Sequence, residues 1–147
     1  MMVLVIVMGS CASSKKARAR KVDTVIQTAR SYTGTPYKWG GTTRKGMDCS
    51  GLLINSYGAI NYQIPRTSEE QSKMGKKVRM PDVEEGDLVF FATGKKKKKV
   101  THVGLVTNVK SNDNVLFIHS STSKGVTESN LYADYYQKRF RFARRIL

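Results

Sequence analysis

Apolar positions along the chain change their pattern twice. Met1 to Met8 is apolar throughout and then yields within a few residues to Ser13, Ser14, Lys15 and Lys16. Such a run falls well short of the about 20 apolar residues that a helix needs to cross a bilayer. From Val22 the period becomes helical: Val22, Val25, Ile26, Ala29 and Tyr32 recur at spacings of three and four, and Gly34 to Pro36 ends the pattern. After a turn at Gly40-Gly41 and a polar loop through Gly46, Asp48 is placed to cap a second helix carrying Leu52, Leu53, Tyr57 and Ile60. Ser68-Glu69-Glu70-Gln71 has capping-box spacing and predicts a short third helix, followed by a loop from Pro81 to Gly86.

The second half reads as strands. Leu88 to Ala92, His102 to Val109 and Val115 to His119 are short β-rich apolar runs bounded by turn-forming clusters, and Arg139-Phe140-Arg141-Phe142 alternates as a half-exposed strand does. Asn112-Asp113-Asn114 marks a turn between two of them. Helices first and strands after predict an α+β fold with N-terminal helices packed on an antiparallel β-sheet, not a βαβ winding. No internal repeat and no phosphate-cradling glycine fingerprint is present.

Length and composition narrow the picture. The chain has 147 residues, 39% of them hydrophobic and 25% charged, with 12 Gly and 3 Pro, which is the profile of one ordinary globular domain. Its net charge of +15 calls for an anionic surrounding such as nucleic acid, an acidic membrane surface or an anionic wall polymer. The excess is blocky: five basic residues fall in each of Lys15 to Lys21, Lys95 to Lys99 and Lys138 to Arg145. A nucleic-acid reader interleaves basic with aromatic residues along one element, so no nucleic-acid partner is expected.

Cys11 and Cys49 sit in unlike contexts. Cys11 closes the apolar N-terminal run, and Met8-Gly9-Ser10-Cys11 resembles a bacterial lipoprotein box, in which the cysteine is lipidated and becomes the mature N-terminus. The other use of that run is a buried first strand, which does not usually lead straight into Ser and Lys. The expected organisation is therefore a signal segment over residues 1–11, a basic tether over 12–21 and a catalytic domain over 22–147. It places the protein in the cell envelope, facing the periplasm or cell wall from a lipid anchor in the membrane.

The densest chemical signal is Met47-Asp48-Cys49-Ser50-Gly51. With Asp48 as cap, the Cys49 thiol falls in the first turn of a helix, where free N–H groups and the positive dipole end favour thiolate. A buried structural cysteine is the plainer use of the same residue. The only two histidines, His102 and His119, both fall in β-rich runs after the cysteine. On adjacent antiparallel strands one imidazole could take the thiol proton while the other orients it. Zinc is the competing use of one Cys and two His, but these three lack the short C-x-x-C or H-x-x-x-H pairing of a metal site. Neither a metal nor a cofactor is expected.

Taken in order, Pro36-Tyr37-Lys38-Trp39-Gly40-Gly41, Asp48-Cys49-Ser50-Gly51, Pro65-Arg66-Thr67-Ser68 with Gln71, Gly86-Asp87-Leu88-Val89-Phe90-Phe91 and Thr101-His102-Val103-Gly104 resemble the blocks of the NlpC-type bacterial cell-wall cysteine peptidases. The resemblance covers about Ala29 to Leu147. It implies a papain-like α+β fold and hydrolysis of peptidoglycan stem peptides, typically between γ-D-glutamate and a diamino acid. It also implies Cys49 as nucleophile, His102 as general base and His119 as third polar residue. Tyr37 corresponds to a tyrosine beside the nucleophile that helps form the substrate or oxyanion site. Asp48 and Ser50 stand where related enzymes recognise a free amine on the stem peptide. Without the resemblance, Tyr37 and Trp39 read as core aromatics. The expected partner is the stem peptide, approached by a monomer. Two other readings use the same residues: an idle basic lipoprotein that binds anionic wall polymer, and a thiol-dependent acyltransferase on the same fold. Lys95 to Lys99 reads as a solvated loop tip or an electrostatic guide toward anionic wall polymer.

Overall fold

The computed structural model describes residues 10–147. Met1 to Gly9, which hold the expected signal segment and the start of the lipoprotein-box sequence, lie outside the described residues. The first helix, α1 (Ser10–Arg30), begins well before Val22. Ala12, Ala17, Ala19 and the lysines and arginines among them are strong helix formers, and no Gly or Pro interrupts the stretch. Residues 12–21, expected as a tether, are thus the first half of a helix. That half also touches the domain, since Arg18 donates from Nε to the Leu147 carbonyl at 2.8 Å.

A two-stranded hairpin follows, β1 (Thr42–Thr43) with β2 (Gly46–Met47), and then α2 (Cys49–Gly58) and α3 (Ser68–Gln71). The capping box of α3 is one residue earlier than the sequence suggested. Thr67 caps it and exchanges hydrogen bonds with Glu70, which frees Gln71 to turn inward and donate to the carbonyls of Pro65 at 2.8 Å and Ser50 at 3.3 Å. The remaining elements are β3 (Lys76–Val78), β4 (Leu88–Phe91), β5 (His102–Ser111), β6 (Asn114–Ser121), β7 (Gly125–Asn130), α4 (Asp134–Arg139) and β8 (Phe140–Arg145). The strands β3 to β8 form one antiparallel sheet in the order β3-β8-β4-β5-β6-β7.

Both faces of that sheet are covered, which explains why β4 is apolar at every position. Leu88 and Phe90 point to the face where α1 and α2 pack through Val25, Ile26, Leu52, Leu53 and Tyr57. Val89 and Phe91 point to the opposite face, into a second cluster with Val106, Phe117, Leu131 and Ala143. One close approach on this second face requires glycine. A Cβ on Gly104 would lie 2.5 Å from Cδ2 of Phe117, so the bare backbone there is what lets the Phe117 ring lie across β5.

Candidate active site

The N-terminus of α2 is fixed by Asp48. Its Oδ1 accepts from the Gly51 N–H at 2.7 Å, capping the helix, while Oδ2 accepts from the Gly40 N–H at 3.1 Å and so ties the Tyr37–Gly41 turn to the same point. Arg66, from the loop between α2 and α3, grips this carboxylate with both ends of its fork, at 3.1 Å to Oδ1 and 2.7 Å to Oδ2, and donates to Ser50 Oγ at 2.8 Å. Such bidentate pairs are directional as well as strong. The resemblance implies that Asp48 meets an ammonium ion. In the folded chain a substrate amine would have to share that carboxylate with Arg66. Nothing in the spacing links Arg66 to a residue eighteen positions earlier, which is why its role was not legible.

This arrangement puts Cys49 in the first turn of α2, as expected, but burial governs its acidity. The side chain is 8% exposed. Burial pushes the thiol up to about 11, and the nearby Asp48 charge adds to the rise; the N–H groups of Val103, Ser50 and Cys49 itself oppose it without reversing it. Cys49 therefore rests as a thiol, not as the thiolate that the helix end alone would favour. Tyr37, half-buried beside it, is likewise held protonated, first by burial and then by the proximity of Cys49 and Asp48.

Two strands deliver the histidines. His102 opens β5 and His119 lies on β6, both on the sheet face that carries Phe91 and Phe117. Their rings meet edge to face, with Nε2 of His102 2.8 Å from Nδ1 of His119. On its far side His119 Nε2 lies 3.0 Å from Ser129 Oγ and 3.3 Å from the Tyr136 hydroxyl. Burial pushes His102 down to about 4. It also pushes His119 down to about 3, with the neighbouring His102 and Lys124 charges adding to the fall. Both imidazoles are neutral at neutral pH. If Ser129 and Tyr136 accept from His119, its Nδ1 accepts from His102 Nε2–H, and Nδ1 of His102 is left as a free acceptor.

Cys49 and His102 line one cleft of about 510 Å³ together with Tyr37, Asp48, Ser50 and Arg66. His119 lies behind His102, in an adjoining cavity of about 250 Å³ that shares Thr93, His102 and Thr122 with the cleft and also touches Tyr136. The site residues expected from sequence thus come together, with Arg66 on the cleft wall and Ser129 and Tyr136 behind as partners the sequence did not reveal. Cys11 is exposed on α1 and is not part of the cleft. Trp39, read from pattern alone as a core aromatic, is 86% exposed on the cleft rim. Among the described residues no group of three His, Cys, Asp or Glu side chains is gathered as a metal site.

A thiol and a neutral imidazole on one cleft wall, with a second imidazole behind, is the constellation of a cysteine hydrolase. Residues 34–145 match the NlpC/P60 family. The chain is 42% identical over 118 residues to a protein of Escherichia coli named "Probable endopeptidase NlpC", covering 80% of this chain and 73% of that one. It is 36% identical over 124 residues to the E. coli "Murein DD-endopeptidase MepS/Murein LD-carboxypeptidase", covering 84% and 62%. With the Bacillus subtilis "Gamma-D-glutamyl-L-lysine dipeptidyl-peptidase" it shares 44% identity over 81 residues, 55% of this chain and 27% of that one. The fold superposes on the crystal structure of an NlpC/P60 family protein from Bacillus cereus with a TM-score of 0.76 at 34% identity, over 86% of this chain and 40% of that one. Family match, identities and fold agree: the chain belongs to the NlpC/P60 family.

Proposed function

We propose that the chain is a peptidoglycan endopeptidase of the cell envelope, which cuts stem peptides between γ-D-glutamate and the diamino acid with Cys49 as nucleophile, His102 as general base and His119 as its orienting partner. The observation that carries this reading is the pairing of His102 with His119 at 2.8 Å beside a cleft shared with Cys49. In this scheme the thiol proton passes to Nδ1 of His102 as sulfur attacks the scissile carbonyl carbon. The imidazolium then gives that proton to the departing amine as the C–N bond breaks, leaving a thioester on Cys49. Water, deprotonated by His102, attacks the thioester, releases the carboxylate and restores the thiol. Backbone N–H groups at the start of α2 and the protonated Tyr37 hydroxyl supply donors for the oxyanion. Ser50 and Asp48 face the substrate and accept from the stem peptide's amino end, with the Asp48 carboxylate shared between that amine and Arg66.

The relatives' names carry two bonds, since one is called a γ-D-glutamyl-L-lysine dipeptidyl-peptidase and another a DD-endopeptidase. Mass analysis of muropeptides after digestion separates them. Cleavage after γ-D-glutamate leaves glycan units carrying a dipeptide, whereas a DD cut converts cross-linked dimers into intact monomers. Dipeptide-bearing units are expected, and monomers alone would move the assignment to the cross-link.

No described helix is long and apolar enough to cross a membrane. Membrane attachment in this reading comes from lipid on Cys11, supported by the small residues before it and the basic stretch after it. The first half of α1 then joins anchor to domain as a helix.

A further inference from the structure

The connection between β4 and β5 is longer than a hairpin needs and carries five consecutive lysines, Lys95 to Lys99, all exposed. Two to five residues suffice to reverse a chain between antiparallel strands. The base of this loop is clasped: Thr93 donates its N–H to Thr101 Oγ1 at 2.9 Å, the two hydroxyls lie 2.9 Å apart, and Thr101 donates its N–H to the Phe91 carbonyl at 3.0 Å. The clasp matters for placement, because Thr93, Gly94 and Thr101 line the same cleft as Cys49, and the next residue is His102. The lysines therefore project from the rim of the catalytic cleft and not from a remote surface.

Little nearby charge answers them. Lys99 approaches Glu69 on α3 at 3.9 Å, and among the described residues no carboxylate pairs with Lys95 to Lys98. The other acidic groups near the cleft are already engaged, Asp48 by Arg66 and Glu70 in the capping box of α3. A cleft with one sign of charge at its mouth concentrates ligands of the opposite sign and speeds their capture.

The geometry points to the Lys95–Lys99 loop as a docking site for repeated anionic groups on the wall polymer, gathering polymer to the cleft without touching the reacting atoms. This rests on the peptidoglycan-hydrolase reading and adds to it a second point of contact, whose ligand is the row of free stem-peptide carboxylates along peptidoglycan. Rim charges act on capture and its salt dependence more than on the chemical step. The loop should therefore lower KM for polymeric anionic substrate and leave kcat alone.

The test compares the unmodified protein with a variant carrying Lys95→Ser, Lys96→Ser, Lys97→Ser and Lys98→Ser; Lys99 is kept for its contact with Glu69. A control variant removes the same charge elsewhere, through Lys15→Ser, Lys16→Ser, Arg20→Ser and Lys21→Ser on α1, none of which lines the cleft. Substrates are a short, amidated, uncharged stem peptide, phosphate-free peptidoglycan with free carboxylates, the same material amidated, and peptidoglycan retaining its phosphate polymer. On anionic material the loop variant should raise KM about tenfold at low salt, flatten the fall of kcat/KM between low and high salt, and keep kcat. The α1 variant and the short peptide should show neither effect. Inorganic polyphosphate should compete with anionic substrate for the unmodified protein and not for the loop variant. An effect on phosphate-free material that amidation removes is the expected result, and an effect confined to phosphate-bearing material overturns the carboxylate assignment. Equal KM and equal salt dependence for loop variant and unmodified protein, or an equal change in the α1 variant, overturns the docking site. Failure of the unmodified protein to cut any substrate overturns the hydrolase reading instead.

Discussion

Replacing His119 by alanine separates the two imidazoles by role. In the folded chain His119 Nδ1 is 2.8 Å from His102 Nε2, and His119 is itself held by Ser129, Tyr136 and the ring of Phe117 at 4.8 Å between centroids. His119→Ala removes the acceptor, leaving His102 Nε2–H without its partner, a loss that costs about 1–3 kcal/mol when the donor is buried. The void opens onto the existing cavity of about 250 Å³, whose polar lining admits water, so the destabilisation should stay within that range. The catalytic effect is larger. Without His119 the tautomer that frees His102 Nδ1 is no longer fixed, and the imidazolium formed during attack loses its neighbour. Loss of the orienting group in a Ser-His-Asp triad lowers kcat by about 10⁴, and for a neutral partner we expect a fall of about 10² to 10⁴, or roughly 3–5 kcal/mol in barrier height. KM should hold, because His119 does not line the substrate cleft. Steady-state kinetics on a stem-peptide substrate measure both constants. His119→Gln, whose Oε1 can accept from His102 Nε2–H, should recover about tenfold of the loss. A kcat within threefold of the unmodified protein, or a rise in KM at constant kcat, would refute the orienting role.

Further predictions follow from the same geometry. With the thiol at about 11 and His102 at about 4, kcat/KM should rise with pH through about 4 and then stay level across neutrality. Alkylation of Cys49 should accelerate only well above pH 9, and an alkylation midpoint below 7 would show a resting thiolate instead. Both histidines are neutral when folded and titrate near 6.5 when unfolded. Between that value and their depressed folded values the unfolded chain binds more protons, so stability should fall as pH is lowered through this window; thermal melts across pH 7 to 4 check the sign. Gly104→Ala forces the Phe117 ring, 2.5 Å from the new Cβ, off its place against His119. It should cost about 1–3 kcal/mol of stability and lower kcat, whereas Gly58→Ala, whose new Cβ would meet nothing within 4 Å, should lower neither. Cys11→Ser should move the protein from the membrane fraction to the soluble one; unchanged fractionation and an unprocessed mass would remove the lipid anchor from the account.

The helical periodicity of Val22 to Tyr32, the Asp48 cap and the start of β5 at His102 were legible in sequence because each depends on neighbours a few residues away. What was not legible depends on distant ones. The polar edge strands Lys76–Val78 and Gly125–Asn130 show no apolar alternation, and only the ladders offered by β8 and β6 make them strands. Thr67 with Glu70 and Ser68 with Gln71 both satisfy capping-box spacing, and the choice went to the pair that leaves Gln71 free to bury itself. The acidity of Cys49 divides in the same way. Its place at a helix start is a local fact, but its burial beneath the neighbouring β5 backbone is a tertiary one. In the sequence Arg66 is one residue of the Pro65–Ser68 block, and its closure on Asp48 appears only when the loop after α2 folds back.

In the proposed reaction the Cys49 sulfur makes and breaks the bond to the stem peptide. Muropeptide digests by the unmodified protein and by Cys49→Ala, compared by mass spectrometry after both proteins are shown to melt at the same temperature, decide the point. Stem-peptide cleavage is expected from the unmodified protein and none from Cys49→Ala, whose fold should be intact because alanine is well suited to the first turn of a helix. Comparable cleavage by the two proteins would contradict it.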